Sequence, residues 1–372
     1  MYGQDASSGA AVAALMTDFF DREKVEDEPN GFDGTGCEFR VLDLCCSPGL
    51  KLCAIADWLW TKSVVRENES VTSAMSVKES SSAEQDTKGR PFFSVTGVDI
   101  SETRMSICKS VVRKYQSDQD RLDHSSIRIQ LFRNDGTQFG GKDEDLNLVF
   151  DSEAARDEAR FAAVKGGRKR MNKSARARER KRLRQILQEQ VSFSDKGDRE
   201  NPNRRGTSRG GSVNLFNRVL VDAECSTDGS LKHVRRRLHK QKEAQCSTEI
   251  PTLTDKDQLD RLVALQKKLA MSGWNLLEPG GFMVYSTCSL SEAQNEDVVR
   301  WLVDKSSAEV VHLEVPNVGS SIREGTLDGT IRFFPSATPA MSSLTEDEGL
   351  SLESVGGGFF LAKLRKPISA QK

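Results

Sequence analysis

Two short stretches, Asp222-Ala223-Glu224-Cys225-Ser226 and Tyr285-Ser286-Thr287-Cys288-Ser289, each close an apolar, β-like run with a cysteine. Two thiols at two strand ends suit covalent chemistry on a pyrimidine ring. A thiolate adds to carbon-6 of cytosine and makes carbon-5 nucleophilic, and a second group beside it helps to break the adduct. The bland alternative for either cysteine alone is a small buried residue at a strand end, a common place for a free thiol. Two of them, both followed by serine and one standing just after Asp222, favour the chemistry.

Such thiols need elements that bring them together. Phe39–Leu44 is a short apolar run that breaks into Ser47-Pro48-Gly49, and Leu52, Ile55, Ala56 and Leu59 then repeat at helical spacing. Phe92–Asp99 reads as a second strand ending in an acid, followed by a helix capped by Ser101 and running to about Lys114. Ile127–Phe132 is a third strand, leading to Asn134-Asp135-Gly136-Thr137. Asn217–Asp222 and Gly280–Tyr285 are the fourth and fifth, separated by an amphipathic helix over Asp255–Trp274. A helix over Glu292–Asp304 and late strands at Val310–Leu313, Ile331–Phe334 and Gly358–Leu364 complete the pattern. This alternation predicts an α/β fold, a mostly parallel sheet with helices on both faces.

In such sheets ligands bind beyond the carboxyl ends of the strands. The turn Cys45-Cys46-Ser47-Pro48-Gly49-Leu50-Lys51 follows strand one, Asp99 follows strand two and Asp135 follows strand three. A tight turn brings backbone close to a methionine moiety, the acid after strand two suits ribose hydroxyls, and the acid after strand three suits an adenine amino group. Taken singly each has a plain reading: a Gly/Pro loop for the turn, a helix N-cap for Asp99. Their order along consecutive strands is what points to a donor site.

Composition narrows the class. Hydrophobic residues make up 37% of the 372 and charged residues 29%, so part of the length reads as solvated insertion. We expect one catalytic domain over 1–372, interrupted by a low-complexity loop at 63–90 and a basic, flexible insertion at 152–212. No apolar run approaches the ~20 residues that span a bilayer, so a soluble intracellular protein is expected, without a membrane partner. Eight cysteines show no CxxC pair and four histidines none of the spacing of zinc ligands, so no metal is expected. Net charge is −1, yet residues 165–184 hold eleven Lys or Arg against the single acid Glu179. That segment reads three ways: a phosphate grip, a nuclear import signal, or a solvated charged helix. Lys232, His233 and Arg235-Arg236-Arg237, just beyond the Cys225 motif, form a second basic patch.

Together these motifs resemble the NOP/Sun (RsmB/RsmF-type) RNA cytosine-5 methyltransferases. The matches run in order: Gln4-Asp5-Ala6-Ser7-Ser8; Asp43 to Lys51; Asp99-Ile100-Ser101 with Arg104; Asp135-Gly136-Thr137; Asp222 to Ser226; Tyr285 to Ser289 with Asn295-Glu296; and Arg332-Phe333-Phe334-Pro335 with Gly358-Phe359-Phe360. The resemblance implies a Rossmann-like class I methyltransferase with a seven-stranded sheet and S-adenosyl-L-methionine as cofactor. Cys45, Cys46, Ser47, Pro48, Gly49, Leu50, Lys51, Asp99, Arg104, Asp135 and Asp222 would contact that donor. It implies tRNA or rRNA as substrate and Cys288 as nucleophile. Cys225 would assist release, Asp222 would hold the N3/N4 edge of the base, and Lys51 would stabilise charge beside it. The local pattern alone leaves open which thiol attacks.

The chain departs from the family pattern at three places. Leu50 replaces a glycine and would crowd the turn, Glu224 replaces a proline and would raise the Cys225 thiol if close or supply a proton acceptor, and Ser336 replaces a histidine. The competing class is a methyltransferase-fold RNA-binding or ribosome-assembly protein in which Leu50 and Glu224 mark lost catalysis. No separate RNA-binding domain is expected before Gln4, so the insertion, a protein partner or a longer chain would supply RNA recognition. Nucleus or nucleolus is expected ahead of cytoplasm or mitochondrion.

Overall fold

The structure, a computed structural model, describes residues 6–17, 38–61, 92–115, 127–141, 146–155, 215–230, 233–234, 256–313, 322–334 and 357–368. All elements named below belong to one unit, built from residues 1–152 and 213–372; the second unit, 153–212, lies almost wholly outside the described residues. Also outside them are the 63–90 loop, the basic run 165–184, Lys232, the arginines at 235–237 and Ser336.

Neighbouring residues Val41 and Leu42 of strand β1 (Glu38–Asp43) are both fully buried, so this strand is covered on its two faces. That is the signature of a central parallel strand, and it explains the unbroken apolar run in the sequence. β2 (Phe92–Val98) and β5 (Phe216–Asp222) flank it in parallel. β3 (Ile127–Phe132) continues on the β2 side and β6 (Leu277–Thr287) on the β5 side, again parallel.

Antiparallel strands extend both edges. β4 (Leu148–Asp151) pairs with β3, and β10 (Phe359–Arg365) pairs with β6. β7 (Glu309–Val311) and β9 (Ile331–Phe333) pair with β10, and β8 (Ile322–Glu324) with β9. Among the described residues the order is β4-β3-β2-β1-β5-β6-β10-β9-β8 with β7 off the path, ten strands where the resemblance implies seven. β4 and β8 are too short to show an alternating pattern.

Helices cover both faces of the sheet. The helix of residues 50–61, α2, packs against β2: a Cβ on Gly97 would fall 2.4 Å from Leu52 Cδ1 and 2.9 Å from Cys46 Sγ. α4 (Lys256–Leu276) packs on the other face, where a Cβ on Gly273 would fall 2.9 Å from Val221. α1 (Ala6–Met16) rests on β5, β6 and β10, and α3 (Glu102–Tyr115) follows β2. The expected helix over Glu292–Asp304 divides into a 3-10 turn, Glu292–Gln294, and α5 (Glu296–Lys305), which packs on α4. Among the described residues no helix is long and apolar enough to cross a membrane, and no cluster of His, Cys, Asp or Glu is placed to hold a metal ion.

Candidate active site

Because β3, β2, β1, β5 and β6 are parallel, their carboxyl ends share one edge of the sheet. Asp43, Asp99, Asp222 and Cys288 all stand at or just beyond those ends. The strand order reverses between β1 and β5, where open α/β sheets bind ligands. Lys51, at the start of α2, reaches across this point and donates to Asp222 Oδ2 at 2.7 Å. Ser286 Oγ donates to Asp222 Oδ1 at 2.9 Å, so both carboxylate oxygens are held.

The pairing of β5 with β6 puts Asp222 opposite Ser286, and three and two residues further on the thiols meet: Cys225 Sγ and Cys288 Sγ are 3.2 Å apart, both half-buried. The Cys288 thiol hydrogen-bonds Cys225 and draws it below the ordinary thiol range; backbone N–H groups of Thr227 and Cys288 act in the same direction. The same bond, then burial, pushes Cys288 up. The pair therefore holds one negative charge readily, on the Cys225 side, and resists a second. Thr227 accepts a left-handed backbone (φ 55°) in supplying its N–H, an uncommon conformation for a β-branched residue.

Glu224 does not raise the Cys225 thiol. Its side chain is exposed, and Cys225 moves down rather than up. A side chain pointing into water is screened, whereas the thiol and amide donors touch the sulfur.

The turn after β1 is tied to β2 and α3. Cys46 N donates to Val98 O at 3.0 Å, Ser47 Oγ to Arg104 O at 2.8 Å, and Arg104 Nη2 to Ser47 O at 3.2 Å. Gly49 has φ 99°, and a Cβ there would lie 2.9 Å from Cys108 Sγ, so glycine is required twice over. Pro48 precedes it, and Leu50, half-buried, opens α2. The Cys45 thiol is pushed up by burial and nearby carboxylates. Cys46 places only its backbone at the turn. Its thiol lies in the core, 3.8 Å from Cys108 Sγ.

Asp99 is buried, accepts from Ser101 N at 2.9 Å and faces Arg104 Nε at 3.3 Å. Asp135 uses Oδ1 for the N–H and hydroxyl of Thr137, each at 2.9 Å. Asp43 is the residue that reading the sequence missed. It is 1% exposed, its Oδ1 takes Cys45 N at 3.3 Å, and its buried Oδ2 has no hydrogen-bond partner among the described residues. Burial first, then the Asp222 charge, pushes Asp43 up to about 7. A buried orphan carboxylate oxygen beside a tight glycine turn fits a cationic donor such as the amino group of S-adenosylmethionine.

A family model for the 16S rRNA methyltransferase RsmB/F matches residues 152–343, more than half of the chain. The chain belongs to the RsmB/F family. Among similar proteins, the ribosomal RNA small subunit methyltransferase F of Cronobacter sakazakii is 29% identical over 160 residues, covering 42% of this chain and 27% of that protein. The mitochondrial tRNA (cytosine(34)-C(5))-methyltransferase of Mus musculus is 28% identical, covering 42% of this chain and 39% of that protein. The tRNA (cytosine(72)-C(5))-methyltransferase NSUN6 of Homo sapiens is 30% identical, covering 41% and 32%. The chain thus spans well under half the length of these relatives. In this RsmB/F chain the matched region carries β5, β6 and both thiols, while Asp43, Lys51 and Asp99 lie before it.

Proposed function

We propose that this chain carries the catalytic domain of an S-adenosyl-L-methionine-dependent RNA cytosine-5 methyltransferase acting on tRNA or rRNA. The observation that carries the reading is the 3.2 Å contact between Cys225 and Cys288 beside the Lys51–Asp222 pair. Relatives named as tRNA and rRNA methyltransferases support the substrate class.

The residues divide the work as follows. Cys288 passes its proton to the Cys225 thiolate 3.2 Å away and attacks carbon-6 of a cytosine held out of its stack. Asp222, fixed by Lys51 and Ser286, accepts from the base's exocyclic amine and orients the ring. The Lys51 ammonium offsets charge gathering on the ring. S-Adenosylmethionine, when bound, supplies an electrophilic methyl group for carbon-5. Asp43, the 45–51 turn, Asp99 with Arg104, and Asp135 would hold that donor. Cys225, half-buried, gives its proton to solvent and then takes the carbon-5 proton as the carbon–sulfur bond to Cys288 breaks. The ring double bond re-forms and Cys288 is returned.

The basic segment 165–184 and the patch at 232–237 are assigned to the RNA backbone, with a protein partner as a further source of recognition. Their charge also suits a nuclear or nucleolar location. The test is donor binding by calorimetry together with tritium transfer from labelled donor into bulk RNA. Transfer to cytosine supports the reading. Donor binding with no transfer to any RNA leaves a non-catalytic RNA-binding protein instead.

A further inference from the structure

Gln294 is fully buried in the 3-10 turn after β6, and its side chain touches both cysteine loops at once. Its Oε1 accepts from Ser226 N at 3.0 Å, next to Cys225. Its Nε2 donates to Ser226 Oγ at 2.9 Å and to Ser289 Oγ at 3.0 Å, the residue after Cys288. Both amide protons and the carbonyl oxygen therefore bridge the two loops.

Among the described residues the contacts order the protons as follows. Asp228, an acceptor, takes the Ser226 hydroxyl proton. With that proton directed to Asp228, the Ser226–Ser289 contact of 3.0 Å runs from Ser289 to Ser226. The Ser289 oxygen is left to accept, from Gln294 Nε2 and from Ser291 N at 3.1 Å. A second buried amide sits behind this set. Gln266, from α4, donates to Gln294 Oε1 at 3.2 Å and to Glu224 O at 2.8 Å, while its own Oε1 has no partner among the described residues. Leaving a buried acceptor unpaired is unfavourable, so this amide's donor end is held toward the cysteine loop against a local penalty. Tyr285 OH donates to Gln294 O at 2.7 Å, fixing the turn to β6.

The geometry points to Gln294, seated on Gln266, as a positioning residue that clamps the two cysteine loops so that the thiols stay in contact. Its side-chain hydrogen bonds to the two loops go to Ser226 and Ser289, and it acts through them. The role deepens the methyltransferase reading and rests on it, but its test does not depend on methyl transfer.

Contact between the thiols is read by closing a disulfide in buffers of oxidised and reduced glutathione. One thiolate displaces a glutathione thiol from the oxidised form. The second protein thiol then displaces the other glutathione, giving one protein disulfide and two reduced glutathiones. The Cys225–Cys288 peptide is quantified by mass spectrometry, giving the effective concentration of one thiol at the other.

For folded Gln294→Met, which keeps the length and loses every polar contact, that effective concentration should fall at least about tenfold, as expected when several buried hydrogen bonds are lost together. Gln266→Met should move it the same way by less. A melting curve confirms folding. Should Gln294→Met not fold, Gln294→Glu keeps the acceptor for Ser226 N and Gln266 and loses the donor pair, so it should show a smaller fall. Effective concentrations within twofold of wild type in the folded variants overturn the clamp. Wild-type protein that closes the disulfide readily but transfers no methyl group overturns the enzyme reading and leaves the clamp standing.

Discussion

Lys51 Nζ stands 2.7 Å from Asp222 Oδ2, joining the start of α2 to the tip of β5 where the strand order reverses. The side chains keep 16% and 26% of their surface in water and Ser286 still donates to the carboxylate, so removing the lysine should cost about 1–2 kcal/mol, between the exposed and fully buried limits. Its value in catalysis should be larger, because a fixed charge next to developing charge needs no reorganisation. Lys51→Met should therefore melt within a few degrees of wild type while single-turnover methyl transfer drops by roughly two orders of magnitude. Equal losses in both would mean that the pair is structural only.

Asp43 makes stability depend on pH in an unusual sense. Its carboxyl is pushed up to about 7 by burial and by Asp222, against 3.8 when unfolded. Between those values the folded state holds a proton that the unfolded state has lost. Its contribution is thus full below pH 3.8, falls as pH rises to about 7, and is constant beyond. At about 1.4 kcal/mol per pH unit the upper bound is about 4 kcal/mol. Other carboxylates slope the opposite way, so the measurement is the difference between wild-type and Asp43→Asn denaturant curves. That difference should change between pH 4 and 7 and be flat above, with Asp43→Asn the more stable above 7. Donor affinity of the wild type should rise through the same window and that of Asp43→Asn should not. Parallel stability curves would refute the buried protonated carboxyl.

What could be read from the residues follows from which signals are local. Continuous apolar runs tipped with an acid or a cysteine identify central parallel strands, because burial on both faces removes the alternation seen elsewhere. The meeting of Cys225 with Cys288 follows from two parallel strands ending alike. Gln266 and Gln294 could not be picked out, since a polar residue in a helical pattern reads as surface until its tertiary partners are known. Cys46 is the converse case: its backbone belongs to the 45–51 turn, while its thiol turns into the core toward Cys108. Glu224 is the chain neighbour of Cys225, yet its side chain is exposed.

Glu296 and Arg332 lie in two separate sequence motifs and meet in the structure. Glu296 is fully buried, and Arg332 Nε donates to its Oε1 at 2.5 Å while Nη2 binds Oε2. Arg332 Nη1 also donates to Leu290 O at 2.8 Å, anchoring the loop that follows Cys288. Removing one partner strands the other, so Arg332→Met should destabilise by about 3–5 kcal/mol through the uncompensated Glu296. Adding Glu296→Gln to Arg332→Met should recover part of this. Urea unfolding of the singles and the double gives the coupling, and additive losses would show the two charges to be independent.

The thiol contact assigns different fates to the two cysteine variants. With Cys288 as nucleophile, Cys288→Ala forms no covalent bond to RNA and transfers no methyl group. Cys225→Ala still attacks once Cys288 ionises, but it lacks the group that takes the carbon-5 proton, so the adduct accumulates. Denaturing gels with labelled RNA should show a slow-migrating, protease-sensitive species for Cys225→Ala alone. Because the Cys225 side holds the first negative charge, Cys225→Ala should also need higher pH to form the adduct, as the remaining thiol loses its neighbouring proton acceptor. A trapped species with Cys288→Ala in its place would exchange the two roles without moving the site.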